Sequence, residues 1–289
     1  MLLTGNCRCF LRLFRHFSLS LHSEMKVRAK KRLGQHFLND ESIAYRIVES
    51  LLEMDPHGAG CSVLEVGPGM GVLTKYLLQE KDLDFRAVEI DEESVEYLIQ
   101  NYPYIRPRLY EEDFLRMDLG EIFPGRLAVI GNFPYNISSQ IFFKILDHKD
   151  SIPFTVGMVQ KEVADRLASP PGNKAYGILS VLLQAWYDID YLFTVEPGSF
   201  SPPPKVRSAV IRIRRNDRTV LGCDETLFRR VVKTCFNMRR KTIRNSIKPL
   251  TGEFTLTDTV SPLLDMRPEQ LSVEQFVKLT LTLTPNVKY

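Results

Sequence analysis

The sequence has few of the residues that staple small domains or bind metals, and it lacks long apolar runs. Its five cysteines form no Cys-x-x-Cys pair and have no histidine at metal-ligand spacing. This argues against a zinc site and a disulfide framework and favours reduced thiols in a cytosolic compartment. No apolar run approaches the ~18 residues that a membrane span needs. We therefore predict no metal, no membrane association and a cytoplasmic location.

Acidic residues are absent from residues 226–252, although that stretch carries many Lys and Arg residues. A second basic group lies at Lys30, Lys31 and Arg32, whereas acids concentrate between Glu89 and Glu121. The formal net charge is only +3, so the charges are sorted along the chain rather than numerous. Two basic regions around an acidic middle favour a polyanionic partner, although a solvated helix face explains either cluster alone equally well.

The size and composition are those of an ordinary globular protein. The chain has 289 residues, of which 44% are hydrophobic and 25% charged, and this length suggests one large domain and a smaller one. We expect a first domain over 25–215 and a second over 216–289. Residues 1–24 are rich in Arg and have no acid before Glu24. Three interpretations of this segment are open. The start was assigned too early and Met25 is the true first residue, or the segment is a targeting segment, or it is a disordered basic tail.

Short β-branched runs recur through the first two thirds of the chain. They lie at 62–66, 85–90, 108–111 and 127–130, and amphipathic stretches separate them. This alternation is typical of a parallel sheet covered by helices. After Arg215 the apolar spacing becomes helical to the end. The sequence therefore predicts a Rossmann-like α/β domain followed by a smaller all-helical C-terminal domain.

The first strand runs into a glycine-rich turn, and a helix follows. The turn has the spacing G-x-G-x-G, whereas a dinucleotide fold uses G-x-G-x-x-G to seat a pyrophosphate. This spacing disfavours NAD and favours a ligand whose amino-acid portion meets the turn. The glycines concerned are Gly67, Gly69 and Gly71.

Two acids follow the next two strands and are placed to bind a nucleoside. Glu89 ends the second strand, where a carboxylate can accept hydrogen bonds from ribose hydroxyls. Asp113 follows the third strand and is suited to accept from an adenine amino group, with Phe114 or Ile90 covering the ring. Either acid alone is more often a solvated surface residue, but both lie at strand ends in register with the glycine turn.

The run Leu127–Ile130 leads into the loop Gly131-Asn132-Phe133-Pro134-Tyr135-Asn136. Pro134 favours an extended Phe133, which leaves the Phe133 carbonyl free of helix bonding. That carbonyl and the Asn132 side-chain oxygen are two acceptors for a planar exocyclic amine, and Tyr135 can stack on the ring that carries it. The alternative is an Asn-Pro turn with a core aromatic.

Two further segments suit a nucleic-acid substrate. The stiff segment Phe200-Ser201-Pro202-Pro203-Pro204-Lys205-Val206 can hold Phe200 opposite Tyr135 as the second jaw of a base clamp. A linker with one anchoring Phe explains it equally well. Residues 236–245 are basic with aromatic and apolar residues between the charges, a pattern suited to RNA.

Together these motifs resemble the ribosomal RNA adenine N6-dimethyltransferases of the small subunit, the bacterial members most closely. The resemblance runs from about Lys30 to the end of the chain and is carried by an ordered set of motifs. These are Gly34-Gln35-His36-Phe37-Leu38, Glu65-Val66-Gly67-Pro68-Gly69, Gly131-Asn132-Phe133-Pro134-Tyr135-Asn136, Gln160-Lys161-Glu162-Val163, Phe200-Ser201-Pro202-Pro203-Pro204-Lys205-Val206 and Arg239-Arg240-Lys241.

The resemblance implies a methyltransferase that binds S-adenosylmethionine and dimethylates N6 of two adjacent adenosines near the 3′ end of 16S rRNA. Its partner would be the immature small ribosomal subunit, and we expect a monomer. His36 stands where the family often has Asn or His, and Phe133 departs from the more frequent Leu. By the family pattern the cofactor site includes His36, Leu38, Gly67, Glu89, Asp113 and Asn132. We expect RNA contacts from Lys30, Lys31, Arg32, Lys205, Arg239, Arg240, Lys241 and Arg244.

Two other functions remain open at this point. One is a large-subunit rRNA adenine methylase, which would share the cofactor domain and differ in its RNA target. The other is a ribosome assembly or transcription factor that keeps the fold and binds RNA without catalysis. The basic segment Arg239-Arg240-Lys241 and the Pro-rich segment after Phe200 favour the small subunit, and the intact loop and cofactor acids count against a role in binding alone.

Overall fold

The computed structural model describes residues 27–55, 60–256 and 260–286. The interpretations of residues 1–24 therefore concern a segment outside the described residues. In the described parts of the chain, no helix combines the length and the apolar character needed to cross a membrane.

Strands and helices alternate through the first two thirds of the chain. In chain order the strands are β1 (Phe37–Leu38), β2 (Ser62–Val66), β3 (Phe85–Val88), β4 (Leu109–Tyr110), β5 (Leu127–Asn132), β6 (Phe154–Gln160), β7 (Tyr187–Val195), β8 (Phe200–Ser201), β9 (Ser208–Arg215), β10 (Phe254–Leu256) and β11 (Leu283–Pro285). The α-helices are α1 (Glu41–Leu52), α2 (Thr74–Leu77), α3 (Glu92–Asn101), α4 (Leu119–Ile122), α5 (Ser138–Asp147), α6 (Lys161–Leu167), α7 (Ile178–Gln184), α8 (Glu225–Asn237), α9 (Ile243–Ser246), α10 (Ser261–Leu264) and α11 (Val273–Leu281).

Seven strands form one sheet in the order β4-β3-β2-β5-β6-β9-β7. The first five are parallel, whereas β9 pairs antiparallel with both β6 and β7. The centre of the sheet is apolar on both faces, and Ala128, Val129 and Ile130 in β5 are fully buried. Strands buried on both faces read as continuous apolar runs, which is why the sequence indicated them. The prediction of a Rossmann-like α/β fold is confirmed.

A two-stranded antiparallel sheet joins two distant parts of the chain. In it Phe37 of β1 faces Ser201 of β8, and Leu38 faces Phe200. Helix α1 follows directly, and its N-cap Asp40 accepts hydrogen bonds from the backbone N–H groups of Ser42 and Ile43. The segment before α1 is thereby fastened to the segment that follows β7.

The C-terminal part is mainly helical, as expected, but it also contains one short antiparallel pair, β10 with β11. The pattern gave no sign of these strands because each has only three residues. Helices α8 and α11 pack into the same hydrophobic core as one face of the seven-stranded sheet, through Phe228, Val232 and Phe276. A division of the chain at residue 216 stays a prediction.

Candidate active site

A cleft lies beyond the carboxyl ends of β2, β3 and β5, where open α/β sheets bind ligands. It holds about 1080 Å³ of empty space, part of it open to solvent. Many of the residues predicted for a cofactor or base site line it. They are His36, Leu38, Gly67, Gly69, Glu89, Ile90, Asp113, Asn132, Phe133, Pro134 and Tyr135.

The glycine turn forms the floor of the cleft. Gly69 has a φ of +56°, and a Cβ there would lie 2.9 Å from the Phe37 ring, so the turn needs glycine for conformation and for space. Gly71 does not line the cleft. A Cβ at Gly71 would lie 2.5 Å from the Tyr102 ring, so this glycine allows close packing behind the turn.

Glu89 lies directly after β3 and is 5% exposed. One carboxylate oxygen accepts a hydrogen bond from the backbone N–H of Gly69 at 3.0 Å, and the other accepts from Ile90 and Asp91 at 2.9 Å each. Burial raises the pKa of Glu89, while these backbone donors oppose that shift. A carboxylate has about four lone-pair sites, so Glu89 retains acceptor capacity towards the cleft.

The segment after β4 supplies the second acid. One Asp113 oxygen accepts a hydrogen bond from the backbone N–H of Leu115 at 2.9 Å, and Asp113 lines the cleft. Ile90 lies at the rim with 54% of its surface exposed. Phe114, predicted as an alternative cover for the ring, is 4% exposed and packs in the core. Leu115 lines the cleft in its place.

The end of β5 and the loop after it hold two acceptors that no described residue uses. The Asn132 side-chain NH₂ donates to the His36 carbonyl at 2.9 Å, which leaves the Asn132 Oδ1 without a hydrogen-bond donor among the described residues. The Phe133 carbonyl also accepts no hydrogen bond from them. The Phe133 ring is 1% exposed and packs so closely on Gly157 that a Cβ there would clash with it. The ring therefore anchors the loop.

Tyr135 is held at both ends. Its hydroxyl hydrogen-bonds to the hydroxyl of Ser208, which is fully buried, and burial raises the pKa of Tyr135. The rings of Tyr135 and His36 lie 5.2 Å apart between centroids. The His36 Nδ1 donates to the Pro202 carbonyl at 2.8 Å. Sequence reasoning did not find Ser208, since it begins β9 with no motif to mark it.

Phe200 is not placed as an exposed jaw in this structure. Its side chain is 3% exposed and packs in the core on the other face of the sheet, and it does not line the cleft. The cause is the pairing of β8 with β1, which sets Phe200 opposite Leu38.

Residues 30–38 form a strap along the cleft. Lys30 pairs with Asp91 and with Glu93, the latter at 3.1 Å, and the Gln35 amide donates to Asp91 at 3.3 Å. Lys30 was predicted to contact RNA, but its ammonium is engaged by these two acids. It fastens the strap beside the end of β3.

The other predicted RNA contacts divide into two groups. Arg239 donates to the Lys174 carbonyl at 2.6 Å, and Arg244 pairs with Asp265 at 3.1 Å. Arg239 is therefore partly engaged within the protein, whereas the pair of Arg244 is exposed. The remaining five are exposed: Lys31, Arg32, Lys205, Arg240 and Lys241. Over the described ranges no group of three or more His, Cys, Asp or Glu residues is arranged to hold a metal ion.

Glu65 is a buried acid of the cleft that sequence reasoning did not assign. It lies in β2 and is 1% exposed, and the Thr74 hydroxyl donates to it at 2.6 Å. Burial raises the pKa of Glu65 to about 8. The carboxyl is therefore largely protonated at neutral pH, and it adds little negative charge beside Glu89.

Comparisons with known proteins agree in pointing to one family. The family model described as "Ribosomal RNA adenine dimethylase" matches residues 26–284. A curated relative from Parabacteroides distasonis, "Ribosomal RNA small subunit methyltransferase A", is 61% identical over 255 residues, which span 88% of this chain and 94% of that protein.

Two solved structures share the fold. A dimethyladenosine transferase from Plasmodium falciparum has a TM-score of 0.67 at 24% identity and covers 85% of this chain and 96% of its own. The 23S rRNA methyltransferase ErmE has a TM-score of 0.63 at 24% identity, and the match covers 84% of this chain and 99% of ErmE. At this identity the likeness shows the fold alone, and the fold does not separate the two RNA targets.

Proposed function

Because the chain belongs to the ribosomal RNA adenine dimethylase family, we propose that it dimethylates N6 of two adjacent adenosines near the 3′ end of small-subunit (16S) rRNA. It is an S-adenosylmethionine-dependent methyltransferase. The choice of the small subunit is supported by the name of the relative at 61% identity. The role of the loop is supported by the Asn132 side chain, whose NH₂ is held by the His36 carbonyl so that its oxygen remains available.

The donors and acceptors of the cleft fit S-adenosylmethionine. The glycine turn offers a close approach for the amino-acid portion. Glu89 is held by three backbone N–H groups and keeps capacity for ribose hydroxyls. Asp113 is a suitable acceptor for the adenine amino group, with Ile90 and Leu115 beside the ring. When bound, the cofactor would supply a methyl group on a positively charged sulfur. An amine lone pair can attack this methyl carbon and displace the sulfur.

The residues of the loop act on the target base. Asn132 Oδ1 and the Phe133 carbonyl accept the two amino hydrogens, which favours a pyramidal nitrogen whose lone pair faces the methyl group. The Tyr135 ring supports the base, and stacking of this kind returns about 1–3 kcal/mol per base. Extrusion of the base costs a few kcal/mol, and less in an open RNA loop. Catalysis is thus mainly orientation and differential hydrogen bonding. In the transfer, the nitrogen lone pair would bond to the methyl carbon as the carbon–sulfur bond breaks, S-adenosylhomocysteine would leave, and the methylated nitrogen would release one proton to solvent. One amino hydrogen then remains, and one acceptor still holds it.

The RNA lies across the exposed cations of the cleft rim and the C-terminal part. Lys31 and Arg32 lie within the strap, Lys205 follows the three prolines after Ser201, and Arg240 and Lys241 follow α8. Such side chains neutralise phosphates and make binding depend on salt. The substrate is the small-subunit rRNA in the immature subunit, and the enzyme acts as a monomer in the cytoplasm without a metal ion.

The proposal is tested by methyl incorporation from labelled S-adenosylmethionine into three substrates: naked rRNA, undermethylated small subunits and large subunits. We expect incorporation into immature small subunits, with dimethyladenosine as the product. Incorporation confined to the large subunit would indicate the alternative methylase. RNA binding without incorporation into any of the three would indicate a factor that acts by binding alone.

A further inference from the structure

Lys144 connects helix α5 to the segment after β4 that carries Asp113. It lies in α5, the helix that begins just after the loop containing Asn132. Its ammonium donates to the carbonyl of Leu115 at 3.1 Å and to that of Met117 at 2.5 Å. Both carbonyls belong to the segment that follows β4. The side chain thus links α5 to the segment that carries Asp113.

The segment 113–117 is irregular, and the buried side chains of Phe114 and Met117 anchor it in the core. Strand β4, which precedes it, has two residues, and the segment curls on itself through backbone bonds from Arg116 and Met117 to the Asp113 carbonyl, at 2.8 and 3.2 Å. The Asp113 carboxylate is bound to the backbone N–H of Leu115. The position of the Leu115 backbone is therefore coupled to that of one Asp113 oxygen, while the other oxygen lies 3.6 Å from the exposed Arg116 side chain.

An aromatic ring and two backbone carbonyls surround the Lys144 ammonium. The ammonium lies 5.5 Å from the centre of the Phe114 ring, and that ring is buried. Burial lowers the pKa of Lys144, and Asp113 is the largest charge that opposes this shift. An ammonium with three donors and no acceptor matches a set of backbone carbonyls.

We propose that Lys144 is a positioning residue for cofactor recognition, because it holds the carbonyls of Leu115 and Met117 and thereby fixes Asp113 against the adenine amino group. This inference rests on the proposed function of the cleft. It predicts that loss of the ammonium affects the reading of the adenine more than it affects folding or RNA binding.

The test compares the full-length protein with three substitutions of Lys144. Lys144→Met keeps the aliphatic stem over Phe114 and removes the donors, Lys144→Gln keeps one NH₂ group, and Lys144→Arg keeps a charged donor. The matched control is Lys233→Met, since the Lys233 ammonium also lies over a phenylalanine ring, 5.6 Å from the centre of Phe143. Binding is measured by calorimetry with S-adenosylhomocysteine and with its analogue in which hydrogen replaces the adenine amino group.

For the wild type we expect the analogue to bind at least about tenfold more weakly, since it lacks a hydrogen bond to a charged acceptor. Lys144→Met should weaken the binding of S-adenosylhomocysteine about tenfold and bring its Kd close to that of the analogue. Lys144→Arg should restore much of the discrimination, Lys144→Gln should lie between, and Lys233→Met should match the wild type. If Lys144→Met weakens the binding of S-adenosylhomocysteine and of the analogue to the same extent, Lys144 has a merely structural role and the inference is overturned.

An Asp113→Ala variant, which removes the acceptor, separates this inference from the proposed function. If the wild type discriminates, Asp113→Ala does not, and both Lys144→Met and Lys144→Gln still do, then the role of Lys144 is wrong and the cleft assignment stands. If the wild type itself binds both ligands equally, the adenine contact of Asp113 is wrong, and the inference about Lys144 is overturned with it.

Discussion

Replacement of Asn132 by Ala tests the central feature of the site. The substitution removes the side-chain oxygen that would accept an amino hydrogen of the target adenine. It also removes the NH₂ group that donates to the His36 carbonyl at 2.9 Å. The loop itself should keep its path, because the buried Phe133 ring and its backbone bond to the Met158 carbonyl at 3.0 Å anchor it independently.

The expected loss is large in turnover and small in cofactor affinity. One preorganised group that stabilises the transition state is worth about 2.7–4 kcal/mol, or about 10²–10³-fold in kcat. The His36 carbonyl loses a neutral hydrogen bond, typically about 0.5–1.5 kcal/mol, so the Kd of S-adenosylmethionine should rise by about tenfold or less. Asn132→Asp keeps an acceptor but cannot donate to His36, and it should retain more activity than Asn132→Ala.

The assay is single-turnover methyl transfer to immature small subunits, with cofactor Kd measured by calorimetry on the same preparations. Thermal unfolding serves as the control for folding. If Asn132→Ala methylates at a near-normal rate while it stays folded and binds the cofactor, the mechanism proposed for the loop is wrong. If both variants lose cofactor affinity in parallel with turnover, Asn132 acts through the cofactor and not on the base.

Three further outcomes follow from features of the site. Gly157→Ala should destabilise the protein by about 1–3 kcal/mol in urea unfolding, because the new Cβ clashes with the Phe133 ring; unchanged stability would mean that the ring has room to move. Burial raises the pKa of Glu65 from 4.5 to about 8. Between these two pH values the folded state holds a proton that the unfolded state has released. The contribution of this carboxyl to stability therefore falls as the pH rises through that range. Glu65→Gln should therefore gain stability relative to the wild type as pH rises to about 8, and a constant difference across that range would contradict the raised pKa. Arg240→Ala and Lys241→Ala should each weaken RNA binding. Each should also reduce the slope of log K against log salt concentration by about one. Kd values that remain unchanged at every salt concentration would show that neither residue contacts the RNA.

The positions of the cleft acids could be read from the sequence because they depend on local patterns. Short apolar runs mark the buried parallel strands, and the residue after each strand lies at the edge where the other strands also end. This logic gave Glu89 after β3, Asp113 after β4 and Asn132 at the end of β5. None of these placements requires knowledge of a distant contact.

The contacts that the sequence did not reveal are made between distant segments. Phe200 is buried because β8 pairs with β1, and no local pattern predicts that pairing. Arg239 donates to a carbonyl of a loop far earlier in the chain, although its neighbours suggested an RNA contact. Phe114 and Leu115 lie in an irregular segment, where no period shows which of the two faces the cleft. Lys144 contacts a segment far earlier in the chain, and no motif around it marks that contact.

The pairing of β1 with β8 has a consequence for the order in which the molecule is completed during synthesis. The strap that borders the cleft is made early, but its antiparallel partner at Phe200 and Ser201 leaves the ribosome much later. Until then the strap lacks that hydrogen-bonding partner, and the nascent chain has an unfinished cofactor cleft. The cleft is thus completed only after β8 has emerged, and the sheet beneath it only after β9, which follows β8 in the chain and lies between β6 and β7.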